Sequence, residues 1–198
     1  MTRATIPAPL EQLNQTLRTR IAELEQQVAE LSRDHAHARL HADSLHAASI
    51  GTTEAPDTGA AMQLVLSELR KVVPYDSASI QQLRSGRLVI VGGVGFADLD
   101  VILGESFDVN NADTPNGEVI HRRRPMIVAD TEQYRAFRRG LHVGAGIRSW
   151  LGVPLIFEDR LLGMISLDKA EADFYNADHL RLAEAFASLA ASAMAARD

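Results

Sequence analysis

Few residues in this chain are of a type and spacing that could do chemistry. Thr114-Pro115-Asn116-Gly117 has the form of a helix start, with Thr114 as N-cap and Pro115 at the first helical position. The unsatisfied N–H groups of such a start, together with the helix dipole, make an anion site. Trp150, the only tryptophan, offers either a flat wall to a planar ligand or an ordinary core aromatic. His37 and His41 are spaced i, i+4 and share a helix face that could grip a metal, but no carboxylate is placed to complete a set. No metal site is therefore expected, and a modest pH effect through His35 is the better reading. His121, Arg122, Arg123 and Arg124, with Arg135, Arg138 and Arg139, form a local basic cluster. It is either a solvated helix face or a surface that recruits an anionic ligand or acidic partner. No nucleophile is paired with a base and an orienter, and no paired catalytic carboxylates are evident, so an enzyme is not expected.

Composition narrows the classes further. The chain has 198 residues, a globular apolar fraction and a formal charge of −6. Acidic character argues against a nucleic-acid partner, which needs a clustered basic face. The absence of cysteine removes disulfides, thiolate zinc sites, cysteine nucleophiles and thioether-linked chromophores together. No apolar run approaches the ~20 residues of a membrane helix, and residues 1–10 lack a signal-peptide core. A cytoplasmic protein with no membrane partner is the expectation.

The elements that must position these residues begin with a heptad repeat over residues 10–50. Leu10, Leu17, Leu24, Leu31 and Leu45 fall on a seven-residue period, with Ala38 filling one step. These are d positions, which puts Asn14, Ile21, Val28, His35 and Ala42 at a. β-Branched residues and one Asn at a, with Leu at d, favour a parallel two-stranded coiled coil. Arg20 with Glu25, and Asp34 with Arg39, supply opposite charges across such a dimer. The alternative is one amphipathic helix packed on its own domain. A DNA-binding zipper is excluded, because residues 1–9 hold one Arg and two Pro where a basic helix is needed.

Residues 51–59 are rich in Gly, Thr, Pro and Asp, the composition of a hinge. A second unit, 60–198, follows. Its periodicity predicts a helix over 60–73, strands over 77–83 and 87–94, a connector over 97–103 and a short strand over 105–109. A short helix over 114–123, a strand over 125–128 and a second short helix from Asp130 to Gly140 come next. Residues 146–168 form a hairpin turning at Glu158-Asp159-Arg160, and residues 176–197 a long helix. The fold class is α+β on an antiparallel sheet. Strand alternation puts Arg148, Trp150, Gly152 and Pro154 on one face, and Ile147, Ser149, Leu151 and Val153 on the better core face.

The hairpin sequence GIRSWLGVPLIFEDRLLGMISLD resembles the closing hairpin of a GAF domain. Tyr75-Asp76 before the first strand, the helix start at Thr114, Arg124-Pro125 entering a strand, and residues 127–130 extend the resemblance over about 60–197. It implies a central sheet with its terminal helices on one face, and a ligand pocket between the other face and the two short helices. The ligand-contacting set it implies is Gln82 (or Gln81), Thr114, Asn116, Asp130, His142, Arg148 and Trp150. Of the family's Asn-Lys, Phe, Asp-Glu signature, the chain keeps Lys169, Phe174 and Asp178, but Asp168 replaces the Asn and His179 the Glu. This departure weakens a cyclic-nucleotide reading, but a Lys169–Asp178 ion pair supporting the pocket is expected. Without cysteine there can be no covalent bilin and no methionine-sulfoxide reduction of the family's kind. Haem would need His142 or His121 and is not expected, so the ligand is left unidentified. The expected function is a regulatory sensory module of bacterial-type signal transduction. It would bind a small molecule and signal through a parallel homodimer built on Leu10, Leu17, Ile21, Leu24, Val28 and Leu31, with the C-terminal helix contributing. The alternative is a ligand-free GAF fold serving only dimerisation or protein interaction.

Overall fold

The computed structural model describes residues 8–110, 113–134, 137 and 146–197. Helix α1 runs over Ala8–Glu54. Two compact units divide within it, one ending at Ala42 and the other beginning at Asp43. In the first unit the heptad residues Leu10, Leu17, Ile21, Leu24, Val28 and Leu31 are each between 45% and 67% exposed. Among the described residues of that unit, this apolar seam covers nothing.

The second unit uses the end of α1 as part of its core. Ala48 is fully buried there, Ser44 and Thr52 are buried, and Leu45 packs partly buried against the core cluster. Leu45 therefore continues the heptad register but serves the domain. The expected hinge over 51–59 is likewise shorter. Gly51–Glu54 is helical, and residues 55–57 alone separate α1 from α2. Gly51 is a packing residue, since a Cβ there would stand 2.0 Å from Leu64 Cδ2. Its lack of a side chain lets two helices approach, which is a different use of glycine from a hinge.

Helix α2 (Thr58–Leu69) starts at Asp57, whose carboxylate accepts from the Ala60 N–H at 2.8 Å. Strands β1 (Ser77–Arg84) and β2 (Arg87–Val94) form a hairpin, followed by the turn of helix α3 (Leu99–Ile102) and strand β3 (Ser106–Asp108). Helix α4 (Pro115–Arg122) and strand β4 (Met126–Val128) lead to the long hairpin β5 (Ser149–Phe157) and β6 (Arg160–Lys169), and helix α5 (Ala177–Ala195) closes the chain. The six strands form one sheet in the order β3-β2-β1-β6-β5-β4, with every neighbouring pair antiparallel. The α+β fold expected from the sequence is what the structure shows. Of the second short helix, Thr131–Gln133 is a turn in the structure and most of residues 135–140 lie outside the described set.

Period-two alternation divides the sheet into two chemically different faces. Ala78 and Ile80 on β1, Leu151, Val153 and Leu155 on β5, and Ile165 and Leu167 on β6 bury against Met62, Leu66 and Leu69 of α2 and Phe186 and Ala190 of α5. The Val, Leu, Ile, Met and Phe side chains among these contribute about 1.5–3 kcal/mol each when fully buried. This face carries the stability. The opposite face holds Leu88, Trp150 and Met164, covered by Val119 and Ile120 of α4, and it encloses a cavity.

Candidate functional site

The cavity measures about 410 Å³ and lies between the second sheet face, β3 and the start of α4. That volume falls within the range of small-molecule pockets. Its floor is polar because β1 and β6 present Ser79, Gln81, Ser166 and Asp168 on the face opposite their core residues. Its walls are apolar: Ile90, Phe96, Ile102, Phe107, Phe137, Ile147 and Trp150. Glu105, Ser106 and Asp108 line the β3 side, and Thr114, Pro115 and Asn116 the helix side.

Each polar floor group has a distinct environment. Gln81 is 3% exposed, and its Nε2 donates to Ser79 Oγ at 3.0 Å. Its Oε1 is buried with no hydrogen-bond partner among the described residues. Ser166 Oγ accepts from the Trp150 indole N–H at 2.7 Å, which fixes the ring. Gly152 also fixes it, because a Cβ at that position would stand 2.1 Å from Trp150 Cη2. The indole thus lies over a glycine on its own strand, with Phe137 edge-on at 6.3 Å.

Asp168 is buried and its Oδ2 accepts from Ser77 Oγ at 2.7 Å. Burial pushes its carboxyl up to about 7; the Ser77 hydrogen bond opposes this, and repulsion from Asp76 adds to it. Asp76 behaves in the opposite way. Burial alone would raise it, but hydrogen bonds from Lys169 and the Ala170 N–H hold it below its ordinary value.

Of the residues expected at the site, Thr114, Asn116 and Trp150 line the cavity. Thr114 caps α4 as its type suggested, its hydroxyl accepting from the Gly117 N–H at 3.1 Å. On β1 the cavity residue is Gln81 and not Gln82. The apolar pair Ala78 and Ile80 faces α2 and α5, so the odd positions must face the cavity. Gln82 instead accepts from the Arg84 guanidinium at 2.6 Å. Asp130 and Arg148 do not line the cavity; they bind one another through two hydrogen bonds of 3.1 and 3.2 Å. The Arg148 bonds, with the Glu132 N–H, hold the Asp130 carboxyl down to about 2. His142 lies outside the described residues, as do Arg135, Arg138 and Arg139 of the basic cluster.

The expected Lys169–Asp178 pair is replaced by two others. Lys169 Nζ bonds Asp76 Oδ1 at 2.7 Å and sits over the Phe174 ring at 5.1 Å, while Asp178 pairs with Arg181 one helical turn on. Asp178 at the start of α5 is within reach of its own helix, whereas Asp76 enters β1 directly beside Lys169 on β6. Ser79, Ser166 and Asp168 were missed as cavity residues. Alternation from the core residues Ile80, Ile165 and Leu167 was the signal that could have found them.

The sequence model of the GAF domain family matches residues 55–195. Among solved structures, the GAF domain from a phosphoenolpyruvate-protein phosphotransferase of Coxiella burnetii is 21% identical, with a TM-score of 0.71 over 80% of this chain and 95% of that one. The GAF domain of A. aeolicus nlh2 in an inactive state is 14% identical, with a TM-score of 0.69 over 82% of this chain and 99% of that one. Free methionine-R-sulfoxide reductase from Neisseria meningitidis, solved with its substrate, is 15% identical, with a TM-score of 0.67 over 81% and 91% of the two chains. No curated protein matches the chain. Among the described residues no helix is long and apolar enough to cross a membrane.

Proposed function

Starting from the fact that this chain belongs to the GAF domain family, we propose that it is a cytoplasmic regulatory sensory module without catalytic activity. A small molecule binds the cavity, and the signal leaves through the helices of a parallel homodimer. The observation that carries this reading is the Gln81 side-chain oxygen, buried without a partner on the floor of a cavity of about 410 Å³. An orphaned buried acceptor costs about 1–3 kcal/mol, a penalty that a ligand donor would relieve. The exposed seam of Leu10, Leu17, Ile21, Leu24, Val28 and Leu31 supports the dimer, because a second copy would bury it knob-into-hole. Close packing of α5 against α2 and the sheet gives the cavity face a mechanical route to the helices, since packed helices shift between discrete arrangements.

The test is light scattering combined with thermal melting in the presence of candidate small molecules. A dimer whose melting temperature rises with a ligand, and whose rise is lost in Gln81→Trp, is the expected result. A monomer whose stability no ligand changes would sink the proposal. A dimer that never responds would favour the ligand-free interaction domain.

A further inference from the structure

The polar floor of the cavity has a direction of hydrogen bonding that selects among ligands. Ser79 and Ser166 stand directly opposite one another in the β1–β6 pairing, and both line the cavity. Opposed residues of an antiparallel pair have Cβ atoms about 5 Å apart. Each serine oxygen is used as an acceptor: Ser79 Oγ takes the Gln81 Nε2–H at 3.0 Å, and Ser166 Oγ takes the Trp150 indole N–H at 2.7 Å. A hydroxyl also has one proton to donate. Among the described residues neither serine gives that proton to a partner. Beside the two serines is Gln81 Oε1, buried without a partner, which can only accept. The hydrogen bond from Nε2 to Ser79 holds this oxygen next to the serine pair. The floor thus presents two donors and one acceptor side by side.

Building on the reading of this cavity as a ligand site, we propose that it takes a flat ring with an amide edge, a carbonyl oxygen beside an N–H. This is the class of lactams and cyclic ureides. The ligand carbonyl, with two lone pairs, would take both serine protons. The adjoining N–H would satisfy Gln81 Oε1 and remove the cost of an orphaned buried acceptor. The ring would lie against the Trp150 indole, which Ser166 and Gly152 hold in place, and flat rings gain from offset stacking. A ligand with a carbonyl alone leaves Gln81 unanswered. A ligand with a hydroxyl alone has a single oxygen to meet all three groups. A site lined by buried hydrogen-bonding groups rejects an analogue without the matching atom, because its own groups are then left unpaired. The selection is one of hydrogen-bond direction and does not depend on the charge of the lining.

Because Trp150 is the only tryptophan, the full chain labelled with nitrogen-15 shows one indole N–H resonance. That N–H bonds Ser166 Oγ, so a carbonyl that engages the Ser166 proton moves the resonance. Three uncharged probes share a two-ring body: 2-quinolinone carries the full amide edge, 1-methyl-2-quinolinone lacks the N–H, and 2-naphthol carries only a hydroxyl. The expected result is a saturable shift, with 2-quinolinone binding about tenfold tighter than either of the others. In Gln81→Leu the preference for 2-quinolinone over its N-methyl analogue should vanish. That ratio is taken within one protein, so a general loosening of the fold would not imitate the result. Ser79→Ala, a second variant, should weaken 2-quinolinone roughly threefold or more. The N-methyl lactam or the naphthol binding as tightly as 2-quinolinone would overturn the ligand class and leave the cavity reading standing. A preference that persists in Gln81→Leu, or an affinity unchanged in Ser79→Ala, would also overturn the class. An indole resonance that no probe moves at millimolar concentration would overturn both the class and the cavity as a ligand site.

Discussion

Replacing Asp168 by asparagine should make the protein more stable relative to the parent as pH rises, the reverse of what losing a carboxylate usually does. The buried carboxyl is pushed up to about 7, against an ordinary value near 3.8 in the unfolded chain. The folded state therefore holds a proton that the unfolded state has already lost. Stability from this group is fully present below about pH 4 and is lost as pH rises towards 7. Each unit in that window costs about 1.4 kcal/mol, so between pH 5 and pH 8 the parent loses roughly 2–3 kcal/mol through Asp168 alone. The substituted amide cannot ionise but keeps an oxygen to accept from Ser77. The neighbours that face the carboxyl, Asp76, Ser77 and Tyr175, are the same in both proteins. Urea unfolding of both proteins at half-unit pH steps gives the difference between them directly. Asp168→Asn should gain on the parent by roughly 2–3 kcal/mol from pH 5 to pH 8. Parallel curves across that range would refute both the raised value and burial as its cause.

Gly152→Ala should drive the Trp150 indole off Ser166, because the added Cβ would stand 2.1 Å from the ring. A cost of about 1–3 kcal/mol is expected, together with a moved indole N–H resonance and a changed near-ultraviolet dichroism. If the proposed dimer forms, Leu24→Asp, which places a charge in the apolar seam, should give a monomer by light scattering with a fall in helical signal. Tyr75→Phe loses a 2.6 Å hydrogen bond from the buried hydroxyl to the Leu66 carbonyl. That carbonyl still accepts from the Arg70 N–H, so chemical denaturation should show only about 0.5–1.5 kcal/mol of loss.

The hairpin of residues 146–168 carried the fold in the sequence, and β5 and β6 occupy it in the structure. Strands and caps were legible because their causes are local: alternation, Pro115 after Thr114, Gly86 in a turn with φ of 75°. The second face of the sheet was less legible. Gln81 and Gln82 are adjacent and chemically identical, so only the register against Ile80 tells which one enters the cavity. Lys169 and Asp76 are 93 positions apart and meet because β1 pairs with β6, a long-range fact that no local pattern contains. Gly51 misled for a related reason. In composition it is a helix breaker, and its role appears only when Leu64 is placed against it.

Whether this chain is a dimer that carries a small molecule is decided by native mass spectrometry of the purified protein, which reports stoichiometry and cargo together. The expected species is a dimer whose mass exceeds two chains by that of a small molecule released on denaturation. The excess should disappear in Gln81→Trp, where the cavity floor is filled. A dimer or monomer of bare chain mass, unchanged after incubation with a concentrated metabolite extract, would contradict a ligand-binding sensor.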